Sequence, residues 1–100
     1  MIKRIVKMQF IPEAVLEFQT AVFDPSKHLI RGFPGCLHME LVQDLNDPAQ
    51  LFTLSIWESE HALETYRQSE IFKQTWTKTK ALFAAKAEAW SVQVLDFPPG

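Results

Sequence analysis

An α+β fold, an antiparallel sheet with helices on one face, is predicted for this 100-residue chain. Three observations predict it. Four segments alternate apolar and polar residues with the period of two that marks a strand. The stretches between them carry apolar residues at helical spacing. The two patterns follow one another as strand, helix, strand, strand, helix, strand.

Residues 2–10 alternate first, with Ile2, Val6, Met8 and Phe10 on one face and Lys3, Lys7 and Gln9 on the other. Arg4 interrupts the apolar face near its end, where it can reach solvent. Pro12 opens a helix at a position where its missing N–H costs nothing. Val15, Leu16, Phe18, Val22 and Phe23 give that helix an apolar side. Asp24-Pro25 reads as a fresh N-cap and first turn. One helix kinked near Pro25, or two short helices in series, is expected. Gly32 and the Pro34-Gly35 turn end it.

Residues 36–43 alternate again, Leu37, Met39 and Leu41 against Cys36, His38 and Glu40. After the turn DLNDPAQ, Phe52, Leu54 and Ile56 alternate with Thr53, Ser55 and Trp57, so the two runs read as a hairpin. Ser59 caps a short helix, with Glu60 in its first turn. Ser69 and Glu70 repeat that pattern for a longer helix with Phe72, Trp76, Thr79 and Phe83 along one stripe. The last strand, in AWSVQVLDF, sets Trp90, Val92 and Val94 against Ser91, Gln93 and Leu95. This order is the βαββαβ unit of a ferredoxin-like sheet.

The more apolar face of each strand is expected to meet the helices. The other face, with Ile5, Cys36, His38, Leu51, Thr53, Trp57 and Leu95, is too apolar to stand bare in water. A second subunit is expected to cover it.

Composition narrows the function. The length predicts one domain over residues 1–100. Ten basic against twelve acidic side chains give a net charge of −2, which offers nothing to nucleic acid or an anionic membrane. No run reaches the apolar length of a membrane span, and the N-terminal segment lacks the apolar core of a signal peptide. One cysteine excludes an internal disulfide and fits a reducing compartment; a cytoplasmic protein is expected. His28, His38 and His61 show no metal-ligand spacing, and the three glycines form no phosphate loop. No metal and no cofactor are expected.

The segment WESEHALETYRQSEIFKQTW resembles the signature of antibiotic biosynthesis monooxygenase domains: a strand ending in Trp-Glu-Ser, a short helix, then a Ser-x-x-Phe stretch opening the next helix. Phe33-Pro34-Gly35-Cys36 before a strand and Asp47-Pro48 in the hairpin turn are similar to the same family. The resemblance covers essentially the whole chain. It implies a homodimer with sheets packed face to face, a dimeric α+β barrel, and a pocket between sheet and helices. Members of the family include oxygenases of phenols and quinols that use neither metal nor flavin, and others that degrade haem. The positions that carry the haem-degrading residues hold Val6, Tyr66 and Trp76 here, so no axial imidazole is present there. Where the cofactor-free polyketide oxygenases have an Asn four residues before the strand-end Trp, this chain has Thr53; a hydroxyl replaces the amide's paired donor and acceptor.

Two catalytic candidates follow, His38 and Tyr66. His38 is the general-base candidate by its intrinsic pKa, or else an interface histidine. Tyr66 is either a buried phenol with one hydrogen bond or a group that orients an aromatic substrate. Trp57, Phe72 and Trp76 serve as packing residues and as substrate-pocket walls, two roles that one apolar surface can combine. Cys36 reads as a buried, inert thiol. Two functions fit: a small cofactor-independent monooxygenase of a quinol or phenolic aromatic, and a non-catalytic homodimeric module binding a small apolar ligand.

Overall fold

The computed structural model describes residues 1–99. Four strands, β1 (Ile2–Gln9), β2 (Cys36–Gln43), β3 (Gln50–Trp57) and β4 (Glu88–Gln93), form one antiparallel sheet in the order β2-β3-β1-β4. Three helical segments cover one face: α1 (residues 12–31), α2 (Glu60–Arg67) and α3 (Glu70–Lys80). This is the α+β, ferredoxin-like arrangement that the periodicities predict.

The helix starts follow local chemistry. The backbone N–H of Ala62 donates to Ser59 Oγ at 3.1 Å, and that of Phe72 to Ser69 Oγ at 3.2 Å. Each hydroxyl satisfies one of the orphan donors of a first turn. Asp24 does not cap a new helix. It has helical φ and ψ, and α1 runs through it without a break. The segment opens as a 3₁₀ turn (Pro12–Ala14), is α-helical over Val15–Glu17, widens to a π-helix over Phe18–Phe23, and is α-helical again over Asp24–Arg31. Pro25 lacks an N–H, and its ring would crowd the carbonyl four residues back. The wider turn directly before it accommodates the proline, and the helix continues into Asp24–Arg31.

Gly35 has φ of +89°, and a Cβ there would stand 2.5 Å from the Ala62 Cβ. Only glycine meets both demands, the left-handed backbone and the close approach of α2. Its carbonyl accepts from Glu58 N at 2.9 Å, which ties the start of β2 to the end of β3. The β2–β3 turn is held by two aspartates: Asp44 Oδ1 accepts from Asn46 N at 2.7 Å, and Asp47 Oδ1 from Ala49 N at 3.0 Å.

The face assignment holds for β1 and is corrected for β3 and β4. Val6 pairs with Thr53, Met8 with Leu51 and Arg4 with Ser55, and all of these turn to the helices. Leu51 and Trp57 are each only 1% exposed. Phe52, Leu54 and Ile56 turn the other way, beside Ile5, Trp90 and Val92. The reason is register. Met8 and Phe10 must bury against α1, and the partner strand then carries its odd-numbered residues to the same side. Of the residues expected on the far face, Ile5 and His38 lie there, while Leu51, Thr53 and Trp57 do not; Leu95 lies past the end of β4. Trp90 and Val92 remain 45% and 42% exposed.

Met8, Phe10, Phe18, Val22 and Leu51 form the buried core under α1. A fully buried Phe such as Phe10 contributes about 1.5–3 kcal/mol relative to leaving it in water. The predicted stripe on α3 is shorter than expected. The helix ends at Lys80, and Phe83 reaches the core from the following turn, bridged to Phe10 as an isolated β pair.

Candidate functional site

A cavity of about 270 Å³ lies between the sheet and the helices, beside the core. Its floor comes from the inward side chains of the sheet, among them Arg4, Val6, Met39, Thr53 and Ser55. Its roof comes from Phe18 and Phe23 of the π segment, Tyr66 and Arg67 of α2, and Phe72 and Trp76 of α3. Ala87 and Ala89 form a low wall where β4 begins.

Aromatic rings from this lining and from the core beside it form one connected chain. Trp57 stacks on Tyr66 with centroids 4.8 Å apart and planes 25° apart. Phe33 meets both of them edge-on, at 6.3 and 5.4 Å. Tyr66 meets Phe72 edge-on at 5.3 Å, and Phe72 stacks on Trp76 at 6.0 Å with planes 9° apart. Trp76, Phe83, Phe10 and Phe18 continue the series. Each pair adds a geometric preference worth about 0.5–1.5 kcal/mol beyond area burial, so the wall is preformed.

The polar groups are few and mostly engaged. Trp57 Nε1 donates to Ser55 Oγ at 3.0 Å, two residues back on the same face of β3. Thr79 Oγ1 donates to the Thr75 carbonyl at 2.7 Å, and Ser26 Oγ to the Val22 carbonyl at 2.7 Å. The ionisable groups that line the cavity are Arg4, Tyr66 and Arg67. Burial holds the Tyr66 phenol well above its ordinary range, with a smaller contribution from Cys36, because an ion would lose its hydration there. The phenol is therefore neutral near pH 7. Burial also raises the Cys36 thiol.

Trp57, Tyr66, Phe72 and Trp76 thus come together around one cavity. His38 does not join them. It lies on the opposite face of the sheet, half exposed, with Nε2 3.2 Å from Glu40 Oε2. The bulge between Cys36 and His38 and the burial of Met39 fix this, since turning Met39 inward turns both its neighbours outward. Arg4 and Arg67 are the charged lining residues that sequence reasoning missed. Arg4 occupies the same face as Val6 and Met8, and this was the available signal; β4 gives its guanidinium a partner in Ser91 Oγ at the exposed edge of the cavity. Arg67 looks like an ordinary cation in the last turn of a helix. Among the described residues no three His, Cys, Asp or Glu side chains are grouped to hold a metal ion, and no helix is long and apolar enough to cross a membrane.

Solved structures share this architecture. A conserved protein from Methanosarcina mazei superposes with a TM-score of 0.87 at 24% identity, covering 92% of this chain and 90% of its own. Rv0793 from Mycobacterium tuberculosis superposes with a TM-score of 0.88 at 18% identity and 98% of both chains. SnoaB, a cofactor-independent oxygenase from Streptomyces nogalater, gives 0.85 at 16% identity, with 99% of this chain and 97% of its own. At these identities the likeness speaks for the fold. No curated protein matches the chain in sequence. The sequence model of one family, antibiotic biosynthesis monooxygenase, matches residues 1–78, and the chain belongs to that family.

Proposed function

We propose that this protein is a small cofactor-independent monooxygenase of a phenolic or quinol-type aromatic. The observation that carries the reading is the aromatic-walled cavity between sheet and helices, in a chain of this family. SnoaB, which shares the fold, is a cofactor-independent oxygenase. In such a reaction the substrate supplies all the electrons. A phenol with a free para C–H reacts with O₂ to give a quinone and water: one oxygen atom enters the ring and the other leaves as water. The protein binds and orients the ring between Trp57, Phe72 and Trp76, and keeps bulk water from the oxidised carbon. Tyr66, held neutral, hydrogen-bonds a substrate oxygen. His38, on the far face, has no part in this chemistry.

The single domain assembles as a cytoplasmic homodimer through the open sheet face, in a dimeric α+β barrel. Phe52, Leu54, Trp90 and Val92 supply the apolar area for that contact. One observation favours a second reading, a non-catalytic module that binds an apolar ligand: the cavity lining offers no carboxylate or imidazole to accept a proton.

Oxygen uptake with a panel of naphthols, naphthoquinols, catechols and anthrones, against the protein-free rate, separates the two. Uptake that saturates with substrate and drops at least about tenfold in Trp76→Ala supports the oxygenase. Uptake equal to the blank across the panel, with aromatic binding intact, supports the binding module.

A further inference from the structure

The cavity is mostly apolar, and the cations that line it are two guanidiniums close enough for the charge of one to act on the other. Arg4 enters from β1 and Arg67 from the last turn of α2, and both line the cavity. Arg4 Nη1 donates to Ser91 Oγ at 2.8 Å, a neutral partner that anchors the group without neutralising it. Arg67 Nη1 lies 3.4 Å from Glu64 Oε2, a long contact on the helix surface. Glu64 is further engaged by Gln68 Nε2 at 2.8 Å. Two positive charges therefore face one negative charge, which Gln68 also shares. Burial lowers the Arg4 pKa, and the charge of Arg67 lowers it further, with Glu64 opposing. Like charges held together at the edge of an apolar cavity are a cost that an anion between them would relieve.

We infer that the cavity takes its aromatic ligand as an anion, with the ring in the aromatic chain and a carboxylate or ionised hydroxyl oxygen between Arg4 and Arg67. This rests on the reading of the cavity as a ligand site and names the class of ligand. It also answers the missing proton acceptor. A phenol need not lose its proton to a side chain if it binds already ionised, and two guanidiniums favour the ionised form by supplying charge-assisted hydrogen bonds.

The test uses 2-naphthoate and its neutral methyl ester, which share a ring system, with binding followed by calorimetry at pH 7.5. Naphthoate is expected to bind at least about tenfold more tightly than the ester, the size of one hydrogen bond to a charged group. The preference should shrink in 0.5 M salt. Arg67→Gln should remove most of it while leaving ester affinity unchanged. Glu64→Gln should strengthen naphthoate binding, and Lys73→Gln, off the cavity, should change nothing. Arg4→Gln should act like Arg67→Gln; if it fails to fold, the half-exposed Arg67 carries the test. Equal binding of acid and ester, or a preference untouched by Arg67→Gln, overturns the inference. The two proposals fail separately. Oxygen uptake with an ionisable naphthol that is unchanged in Arg67→Gln, alongside equal binding of acid and ester, sinks the anion inference and leaves the oxygenase standing. An Arg67-dependent naphthoate preference without any uptake does the reverse.

Discussion

Replacing Ser55 by Ala removes one oxygen atom and should destabilise the protein well beyond that atom's size. Ser55 Oγ accepts the Trp57 indole N–H at 3.0 Å. Trp57 is buried and stacked on Tyr66, so the freed N–H cannot turn to solvent without breaking that stack. A buried donor left without its partner costs about 1–3 kcal/mol. For a chain of this length each kcal/mol lowers Tm by about 4–8 °C, so a fall of at least about 4 °C is expected. Thermal unfolding followed by far-UV circular dichroism at fixed protein concentration measures it. The mechanism is isolated by repeating the substitution on a Trp57→Phe background. The ring is kept there, the N–H is gone, and Ser55→Ala should cost less than about 0.5 kcal/mol. A coupling of about 1 kcal/mol or more between the two positions is the expected outcome. An equal cost in both backgrounds, or no cost in either, would refute the account of Trp57 as a wall fixed by Ser55.

Gly35→Ala should destabilise by more than about 1 kcal/mol, since an L side chain meets both an unfavourable backbone and the Ala62 methyl; a chemical melt indistinguishable from wild type would contradict this. The raised Tyr66 pKa gives alkaline sensitivity a definite sign. The folded state holds the proton more tightly than the unfolded chain, so the stabilisation is fully present below the ordinary tyrosine value of 10.0 and is lost as pH rises above it. Tyr66→Phe should flatten the fall in Tm above pH 10.0, and an unchanged slope would locate the effect elsewhere. Leu54→Asp, on the open sheet face, should convert the proposed dimer to a monomer by light scattering. A monomeric wild type, or a dimeric variant, would move the interface off that face.

Much of the fold was legible because it depends on local rules. Period two marked all four strands, and Ser59 and Ser69 announced their helices by the chemistry of a cap. What could not be read was set by partners far away in sequence. β3 is apolar on both faces, so alternation alone cannot say which one turns inward; pairing of Leu51 with Met8 decides it. The same holds for Trp90 and Val92. Asp24-Pro25 has the composition of a helix start, yet the preceding π turn removes the need for one. Phe83 fits the helical spacing of the α3 stripe but reaches Trp76 and Phe10 from a turn. At the site, the aromatic wall followed from Trp57, Tyr66, Phe72 and Trp76, because large rings at helical and strand-end positions must bury somewhere. His38 was placed correctly on the far face, and that placement, fixed by a bulge and one buried methionine, keeps it away from the cavity it was a candidate to serve. Arg4 was visible as an odd charge on an apolar face, and only the neighbouring strand reveals that it borders a cavity.

The wall of the cavity is continuous with the core: Phe10 and Phe18 belong to both the aromatic chain and the cluster under α1. This splits the lining into two classes with different freedom to change. Altering a ring of the chain that lines the cavity changes the cavity's shape and the folded state at once, so such positions evolve under a double constraint. Thr53, Thr75, Ala87 and Ala89 line the same space but stand outside the ring chain. A larger or differently shaped side chain at one of these four reshapes the cavity without breaking a ring contact. Selection for a new substrate would find its accessible routes there, and a laboratory library aimed at changing specificity has its natural starting positions in the same four residues.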